Sequence, residues 1–359
     1  MDDPLITNRK AEHLRIALEE PVEVAAGHAG WDAVRLVHQA LPERALADVD
    51  TRVTFLGRQL AMPLLVGSMT GGTAEAGEVN RRLARAAARA GIGMALGSQR
   101  VMLVRPETTA TFAVRDAAPD LPLLIGNLGA VQLGSAGRVD AAAVRGLADR
   151  VAADALVLHL NAAQEAVQPE GDTDFVNLLD KMSDVAGEVG IPVGVKEVGN
   201  GLSIDAVRRL AATRYRWAFL ESAGRGGTSW TLIEGLRGDA RAKELGALFA
   251  DWGIPTVTSA LACVRHGDGI PVIASGGLRS GLDAARALAC GATMTAMALP
   301  LLKAAATSED AAYDVIQRFG DALRVAMFLT GAGSLAELAR VPRRIHPEVE
   351  PHVWEGRTP

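Results

Sequence analysis

Four residues with hydrogen-bonding or metal-binding side chains follow the apolar run ALVL at residues 155–158. They are His159, Asn161, Gln164 and Glu165, in the segment HLNAAQE. A histidine can transfer protons, amides orient a polar substrate, and a carboxylate is an ordinary oxygen ligand for Mg²⁺. Because polar groups at the end of a buried strand also serve as helix caps or loop residues, the rest of the chain must distinguish between these interpretations.

The composition is typical of a soluble globular protein. The chain has 359 residues, of which 49% are hydrophobic and 22% charged, and its formal charge of -5 argues against a nucleic-acid or anionic-membrane binder. No apolar run is long enough to span a membrane, and the N-terminus MDDPLITNRK is too polar for a secretory signal, so we expect a cytoplasmic protein. Cys263 and Cys290 lie in Ala- and Leu-rich contexts, which predict buried thiols rather than a disulfide or a metal site.

Eight short apolar runs recur along the chain. Between most of them lie Ala- and Leu-rich stretches with helical spacing, several of which end in glycine. Strand and helix alternating about eight times predict an α/β fold with a closed parallel (β/α)8 TIM barrel. A doubly wound open sheet is the alternative, although it normally has fewer strands and a glycine fingerprint after the first. The runs occupy residues 63–68, 92–98, 121–127, 155–161, 191–197, 217–222, 270–277 and 292–298.

The segments outside these runs predict three divisions of the chain. Residues 1–62 form an N-terminal extension, read as a helix followed by a hairpin, which either plugs the bottom of the barrel or folds over its top. Residues 63–340 form the barrel, with an insertion between the sixth and seventh runs and two closing helices after the last strand. Residues 341–359 are expected to be a poorly ordered tail.

The C-terminal ends of the predicted strands are rich in polar groups, whereas their N-terminal ends carry mostly Pro, Leu and Ile. Catalytic groups of a TIM barrel gather at the C-terminal ends, so this asymmetry predicts a shared ligand site there. Ser68 and Ser275 also fit helix caps. The strand-end residues are Ser68, Met69, Thr70, Ser98, Gln99, Arg100, Asn127, His159, Asn161, Gln164, Glu165, Lys196, Glu197, Glu221, Ser222, Ser275, Gly276, Gly277 and Ala298.

Two glycine-rich stretches indicate a phosphorylated cofactor. AGRGGTSW at residues 223–230 and ASGGLRSG at 274–281 bring backbone amides together where barrels commonly bind phosphate. Lys196 ends the fifth strand and adds a cation that can stabilise an anionic reduced flavin ring or a developing oxyanion. Alternatively, Lys196 is a surface lysine whose stem packs along the strand.

These residues together resemble one enzyme family. The segments RKAEHLRIALE, GWDAVRLVHQALPE, SMTGGT, GMALGSQR, HLNAAQE, PEGDTDF, VKEVGNGLS, GGTSW, WGIPT and ASGGLRSGLDAARALACGA are similar, in order and spacing, to type 2 isopentenyl-diphosphate delta-isomerase. Members of that family are FMN-dependent barrel enzymes that interconvert isopentenyl and dimethylallyl diphosphate. The resemblance runs from about residue 9 to about residue 335. Hydroxy-acid oxidases share the SGG loop but lack the N-terminal RK and the GSQR and HLNxxQE segments.

The resemblance implies a role for each matching residue. Gln164, Lys196 and His159 would be catalytic, and Glu165 would hold Mg²⁺. The substrate would contact Arg9, Lys10, Ser98, Gln99, Arg100, His159, Asn161 and Gln164. FMN would contact Ser68, Met69, Thr70, Ser98, Asn127 and Lys196 through its ring, and Thr228, Gly276, Gly277, Leu278, Ala298 and Leu299 through its phosphate. Gln168, Glu170 and Asp172 are expected to shape a turn rather than touch ligand.

The chain departs from the family pattern at one place. The family has an acidic residue followed by Val before the glycine loop, where this chain has Glu221 and Ser222, and Arg225 is an additional cation. The roles of these three residues stay open, with Arg225 expected to be either solvated or close to a phosphate.

The resemblance also implies a mechanism. Reduced FMN acts as acid and base on an alkene without net redox change, and NADPH or NADH serves only to reduce the flavin. Homotetramers or homo-octamers are expected, with no nucleic-acid or membrane partner. Two other classes remain open: an FMN-dependent oxidoreductase of the hydroxy-acid oxidase type, which transfers hydride, and a noncatalytic protein that binds a phosphorylated ligand.

Overall fold

The computed structural model describes residues 4–23, 29–134 and 139–354 of the chain. Helix α1 (Pro4–Glu19) comes first, followed by strand β1 (Val34–Leu36) and the antiparallel hairpin of β2 (Val53–Phe55) and β3 (Arg58–Leu60). The predicted helix and hairpin of the N-terminal extension are therefore confirmed.

Eight parallel strands close into a barrel in the order of the chain. Each strand pairs with the next, and the last pairs with the first through Thr295 beside Leu64. The predicted barrel is confirmed, and the open-sheet alternative is wrong. The strands are β4 (Leu64–Val66), β5 (Gly93–Ala95), β6 (Leu124–Gly129), β7 (Ala155–Leu160), β8 (Val193–Glu197), β9 (Leu220–Glu221), β10 (Val272–Ala274) and β11 (Met294–Met297).

The helices cover the outside of the barrel, and their ends show why the sequence folds this way. Helix α2, for example, begins after Thr73, whose hydroxyl accepts from Ala76 N, and ends at Gly91 with φ of 67°. The remaining helices are α2 (Ala74–Ala90), α3 (Val101–Val104), α4 (Ala141–Arg150), α5 (Ala162–Val167), α6 (Leu178–Glu188), α7 (Ile204–Ala211), α8 (Trp230–Arg237), α9 (Ala240–Leu248), α10 (Thr256–His266), α11 (Gly281–Ala289), α12 (Leu299–Thr307), α13 (Glu309–Leu329) and α14 (Leu335–Leu338).

The N-terminal extension closes the barrel at both ends. Phe55 and Leu60 of the hairpin pack into the apolar interior, where the ring centroid of Phe55 lies 5.8 Å from that of Phe219. Helix α1 lies across the opposite end, with Arg9 and Lys10 buried against the strand ends. The hairpin plugs the bottom and the helix covers the top, so the open space lies beneath α1.

The predicted poorly ordered tail is wrong for most of its length. Strand β12 (Arg343–Ile345) pairs antiparallel with β1, and short 3-10 turns follow at Pro347–Val349 and Pro351–Trp354. Arg265 of α10 pairs with Glu350 and anchors this segment to the barrel. The last five residues lie outside the described part of the chain.

The insertion predicted between the sixth and seventh strands is confirmed. It consists of α8 and α9, and the regular helix α10 follows. Cys263 and Cys290 are buried free thiols, as predicted, and burial raises the pKa of Cys263 to about 12 and that of Cys290 to about 11. Among the described residues, no helix is long and apolar enough to cross a membrane.

Candidate active site

A cavity of about 1610 Å³, including its open mouth, lies between the C-terminal ends of the strands and helices α1 and α8. All residues assigned to substrate, cofactor, metal or catalysis from the sequence line this cavity, with one exception.

The exception is Gln99, whose assignment to the substrate is a correction. Its side chain is fully buried in the barrel wall, where Nε2 donates to Leu147 O at 3.1 Å and Oε1 accepts from Asn127 N at 2.9 Å. Ser98 and Arg100 line the cavity on either side of it. Gln99 therefore supports the strand ends from behind and does not reach the substrate space.

Three cations meet at the α1 side of the cavity. Lys10 Nζ donates to Ser98 O at 3.1 Å, and burial together with Arg9 and Arg100 lowers the pKa of Lys10 to about 7. Burial and Arg100 likewise lower the pKa of Arg9, whose buried Nε has no hydrogen-bond partner among the described residues. Buried like charges of this kind favour a bound anion, which would relieve their repulsion and accept their hydrogen bonds.

The two glycine loops pack closely together and form a cradle on the other side of the cavity. Gly276 and Gly277 have φ of 99° and 77°, and a Cβ on either would collide with the backbone oxygen of Gly224 or Gly226. Helix α12 begins close by at Leu299, and the first amides of a helix have no intrahelical partner. These features fit the phosphate of FMN, which the cavity-lining residues Thr228, Leu278 and Ala298 would also contact.

The floor of the cavity carries polar groups suited to a flavin ring. Ser68 Oγ is buried and has no hydrogen-bond partner among the described residues, and Met69, Thr70 and Asn127 line the same surface. Lys196 is only 6% exposed and its Nζ donates to Glu197 O at 2.6 Å. This burial excludes the interpretation of Lys196 as a surface lysine.

His159 and Asn127 form one hydrogen-bonded unit. Asn127 Nδ2 donates to Leu96 O at 3.0 Å, which leaves its Oδ1 as the acceptor for His159 Nδ1 at 2.7 Å. The imidazole therefore carries its proton on Nδ1, and Nε2 is free to accept. Burial, Lys196 and Lys10 lower the pKa of His159 to about 3, so the ring is neutral near pH 7.

Glu165 supplies the carboxylate at the HLNAAQE end of the cavity. Its Oε1 accepts from Asn161 Nδ2 at 2.7 Å and its Oε2 from Asp172 N at 2.8 Å. Asn161 Oδ1 is buried without a hydrogen-bond partner among the described residues. These are hard oxygen donors, which fit Mg²⁺ if ligand oxygens and water complete its coordination. No cluster of three or more acidic, His or Cys ligands exists among the described residues.

Glu234 of α8 is a buried carboxylate that the sequence did not single out. Gln164 Nε2 donates to its Oε1 at 2.7 Å, His13 Nε2 lies 2.9 Å from the same oxygen, and Arg237 pairs with it. Burial alone would raise the pKa of Glu234, but His13, Gln164 and Arg237 lower it to about 2. Burial also lowers the pKa of His13.

The turn residues after Glu165 make side-chain contacts beside the cavity. Gln168 lines the cavity, and its amide, oriented to satisfy both ends, donates to Glu234 Oε1 at 3.2 Å and accepts from Arg9 Nη1 at 3.0 Å. Glu170 pairs with Arg237 at 2.7 Å. Gln168 therefore faces the cavity, and the expectation that it shapes the turn rather than touches ligand stays a prediction.

Comparisons with known proteins agree over nearly the whole chain. A family model described as FMN-dependent dehydrogenase matches residues 5–115 and 251–343. An isopentenyl-diphosphate delta-isomerase of Synechococcus sp. is 47% identical over 336 residues, which cover 93% of this chain and 95% of the relative. Relatives of the same name from Rickettsia felis and Methanothrix thermoacetophila are each 44% identical, over 94% and 93% of this chain and 96% and 92% of theirs. The chain belongs to the type 2 isopentenyl-diphosphate delta-isomerase family.

Solved structures extend the fold of this isomerase family to more distant proteins. A mandelate oxidase mutant with a monooxide FMN adduct superposes with a TM-score of 0.63 at 18% identity, over 93% of this chain and 92% of that chain. Mandelate oxidase with 3,3-difluoro-2-hydroxy-3-phenylpropionic acid gives a TM-score of 0.64 at 17% identity, over 95% and 98%. These proteins share the barrel architecture. At identities this low the shared fold does not indicate a shared activity, which must be argued from the residues of the site.

Glu221, Ser222 and Arg225, whose roles the sequence left open, have defined contacts in the structure. Glu221 lines the cavity, its Oε1 accepts from Ser275 Oγ at 2.7 Å, and the same oxygen lies 3.7 Å from Lys196 Nζ. Ser222 is fully buried, and its Oγ donates to Ser275 O at 3.3 Å. Arg225 pairs with Asp251 at 2.8 Å and lies outside the cavity lining.

Proposed function

We propose that this protein interconverts isopentenyl diphosphate and dimethylallyl diphosphate, using reduced FMN and Mg²⁺. The observation that carries the proposal is that one cavity joins the cation cluster at α1 to a polar floor and a glycine-loop cradle. A diphosphate and FMN are both anionic, and each has its own set of donors here. The names of full-length relatives support the same activity.

The substrate diphosphate would bind Arg9, Lys10 and Arg100. Its charge replaces their mutual repulsion with attraction, and its oxygens accept from Arg9 Nε, which lacks a partner among the described residues. Glu165 and Asn161 Oδ1 would hold Mg²⁺, which would supply positive charge to the diphosphate. Because Arg9 and Lys10 lie on α1, which covers the cavity, the hydrocarbon part would extend toward the barrel floor.

FMN would lie on the floor, held by Ser68, Thr70 and Asn127 and by its phosphate in the glycine cradle. When bound and reduced, it supplies a proton donor and acceptor matched to an alkene, which ordinary side-chain acids near neutral pH are not. Lys196, buried at the end of β8, places a positive charge where the reduced ring is negative.

Two side chains would orient the hydrocarbon between diphosphate and flavin. His159 is neutral with an accepting Nε2, so that atom has no proton to donate near pH 7 and the side chain would act by positioning. Gln164 is fixed at its Nε2 by Glu234, which leaves Oε1 as its accepting atom. Apolar residues Leu14 and Ile233 line the cavity and would shield the hydrocarbon from water.

Several parts of this proposal rest on the family resemblance. NADPH or NADH would reduce the flavin, and no dinucleotide fingerprint in the sequence distinguishes between them. A cytoplasmic location and a homotetrameric or homo-octameric assembly stay predictions of the same kind.

A direct experiment tests the activity. Purified protein is incubated anaerobically with isopentenyl diphosphate, FMN, Mg²⁺ and dithionite, and the products are analysed. We expect the dimethylallyl isomer, and none from a mixture that lacks FMN. Absence of the isomer from the complete mixture would refute the proposed function.

The hydroxy-acid oxidase alternative fits the cavity less well. Such an enzyme needs the flavin floor but has no use for the cation cluster of Arg9 and Lys10 on α1 with Arg100 before α3. A noncatalytic phosphate binder has no use for Gln164, Glu165 and Lys196 in the cavity. The test between these classes is whether a hydroxy acid reduces the bound flavin.

A further inference from the structure

We propose that Glu221 is a positioning residue that balances the charge of Lys196 beside the flavin ring and thereby lowers the reduction potential of bound FMN. This inference rests on the proposed function, because it takes the cavity floor to be the flavin site. It assigns a role to Glu221, the acidic residue that precedes the glycine loop and whose role the sequence left open.

The strand register brings the two charges together. Lys196 of β8 and Glu221 of β9 are direct partners in neighbouring parallel strands. Side chains at partnered positions of a parallel sheet point to the same face, and both of these line the cavity. The distance between Lys196 Nζ and Glu221 Oε1 is 3.7 Å, and their side chains are each 7% exposed.

A hydrogen-bond chain holds the Glu221 carboxylate in place. Ala223 N donates a hydrogen bond to Ser275 Oγ at 3.2 Å, and Ser275 Oγ donates one to Glu221 Oε1 at 2.7 Å. Ser275 comes from the end of β10, the other neighbour of β9. The Glu221 carboxylate is thus held between Lys196 on one side and Ser275 on the other, so its negative charge stays next to Lys196.

The balance between these charges matters because FMN changes charge on reduction. Uptake of two electrons and one proton converts the neutral ring to an anion. A lone buried ammonium beside it would favour the anion strongly, whereas a carboxylate next to the ammonium offsets that preference. Lys196 with Glu221 therefore gives a lower potential than Lys196 alone.

The test is the midpoint potential of the FMN-reconstituted enzyme, measured against a reference dye during reduction with dithionite. In E221Q the amide oxygen still accepts from Ser275, but the negative charge is removed. We expect about tenfold tighter binding of reduced relative to oxidised FMN, which for a two-electron couple corresponds to a potential about 30 mV higher. E221D keeps the negative charge, so its midpoint potential should be closer to that of the wild type than the potential of E221Q is.

A surface control removes the same charge elsewhere. D205N changes a carboxylate on α7 whose side chain is 81% exposed. The midpoint potential of FMN in this variant should equal that in the wild type. If E221Q is insoluble, S275A loosens the same carboxylate and should shift the potential in the same direction.

The inference is overturned if E221Q binds FMN with an unchanged or lower potential. It is also overturned if E221D shifts as far as E221Q, since the charge would then not be the cause. Failure of the wild-type protein to bind FMN would instead refute the proposed function, so the two failures are distinguishable.

Discussion

The Nε2 atom of Gln164 donates a 2.7 Å hydrogen bond to Oε1 of the fully buried Glu234. The bond fixes which end of the amide points away from α8, because a carboxylate can only accept. His13 and Arg237 keep Glu234 charged, with a pKa of about 2. The cavity face of Gln164 is therefore set by a residue on a different helix.

We expect E234Q to impair the reaction. A hydrogen bond to a charged group contributes about 1.5–3 kcal/mol, so kcat/KM should fall by about 10- to 100-fold. The control is E12Q, because Glu12 reaches the same Arg237 from the surface, where its side chain is 48% exposed, and exposed pairs contribute about 0–1 kcal/mol. Steady-state kinetics of both variants check this, and equal losses would contradict the role given to Glu234.

Substitutions of Glu165 and of its neighbour Gln164 should change different kinetic properties of the enzyme. E165Q loses a charged Mg²⁺ ligand, so the Mg²⁺ concentration needed for half-maximal rate should rise by about tenfold or more. Q164A keeps that ligand, so its Mg²⁺ requirement should stay unchanged while kcat falls. Mg²⁺ titrations of the two variants provide the comparison. If both variants change kcat and Mg²⁺ requirement alike, the division of roles is wrong.

Diphosphate binding should be coupled to protonation of Lys10. In the free protein the pKa of Lys10 is about 7, and a bound anion raises it, so binding at pH 8 should take up a proton. The affinity contributed by Lys10 is complete below pH 7 and decreases as pH rises above it. Calorimetry with inorganic diphosphate in buffers of different ionisation enthalpy measures this uptake.

The matched control for that coupling is K10M. This variant should bind diphosphate more weakly and show about one proton less uptake at pH 8, which separates Lys10 from the ligand's own ionisation. Identical uptake by K10M and wild type would show that Lys10 already carries its proton in the free protein.

His159 should stay neutral through the range in which histidines usually titrate. Its pKa of about 3 predicts no His159 ionisation between about pH 5 and 8. In N127D a carboxylate replaces the amide beside Nδ1, so the pKa of His159 should rise. Nitrogen NMR of the ring, assigned with H159Q, measures both values, and a wild-type His159 that titrates near pH 6 would contradict the neutral assignment.

The barrel and most of its site follow from local patterns in the sequence. Each strand is a short apolar run, and a parallel barrel brings all their C-terminal ends to one side, so Ser68, His159 and Lys196 could be placed together. The same period-two logic explains the error at Gln99. Ser98 and Arg100 line the cavity, and the residue between them points the other way.

The missed features depend on long-range packing. His13 and Glu234 lie on α1 and α8, and no local pattern gives the angle at which these helices cross the barrel mouth. The order of the C-terminal segment depends on β12, whose partner β1 lies more than 300 residues earlier in the chain. Such pairings carry no signal within a sequence window.

The most direct test of the account is whether one reduction of the flavin supports many turnovers. Enzyme photoreduced once, without NADPH, is mixed anaerobically with isopentenyl diphosphate and Mg²⁺, while product and flavin absorbance are followed together. We expect many molecules of dimethylallyl diphosphate per flavin, while the flavin absorbance remains that of the reduced form. We expect no product from the oxidised enzyme. Stoichiometric flavin oxidation by the substrate, or full turnover by oxidised enzyme, would contradict it.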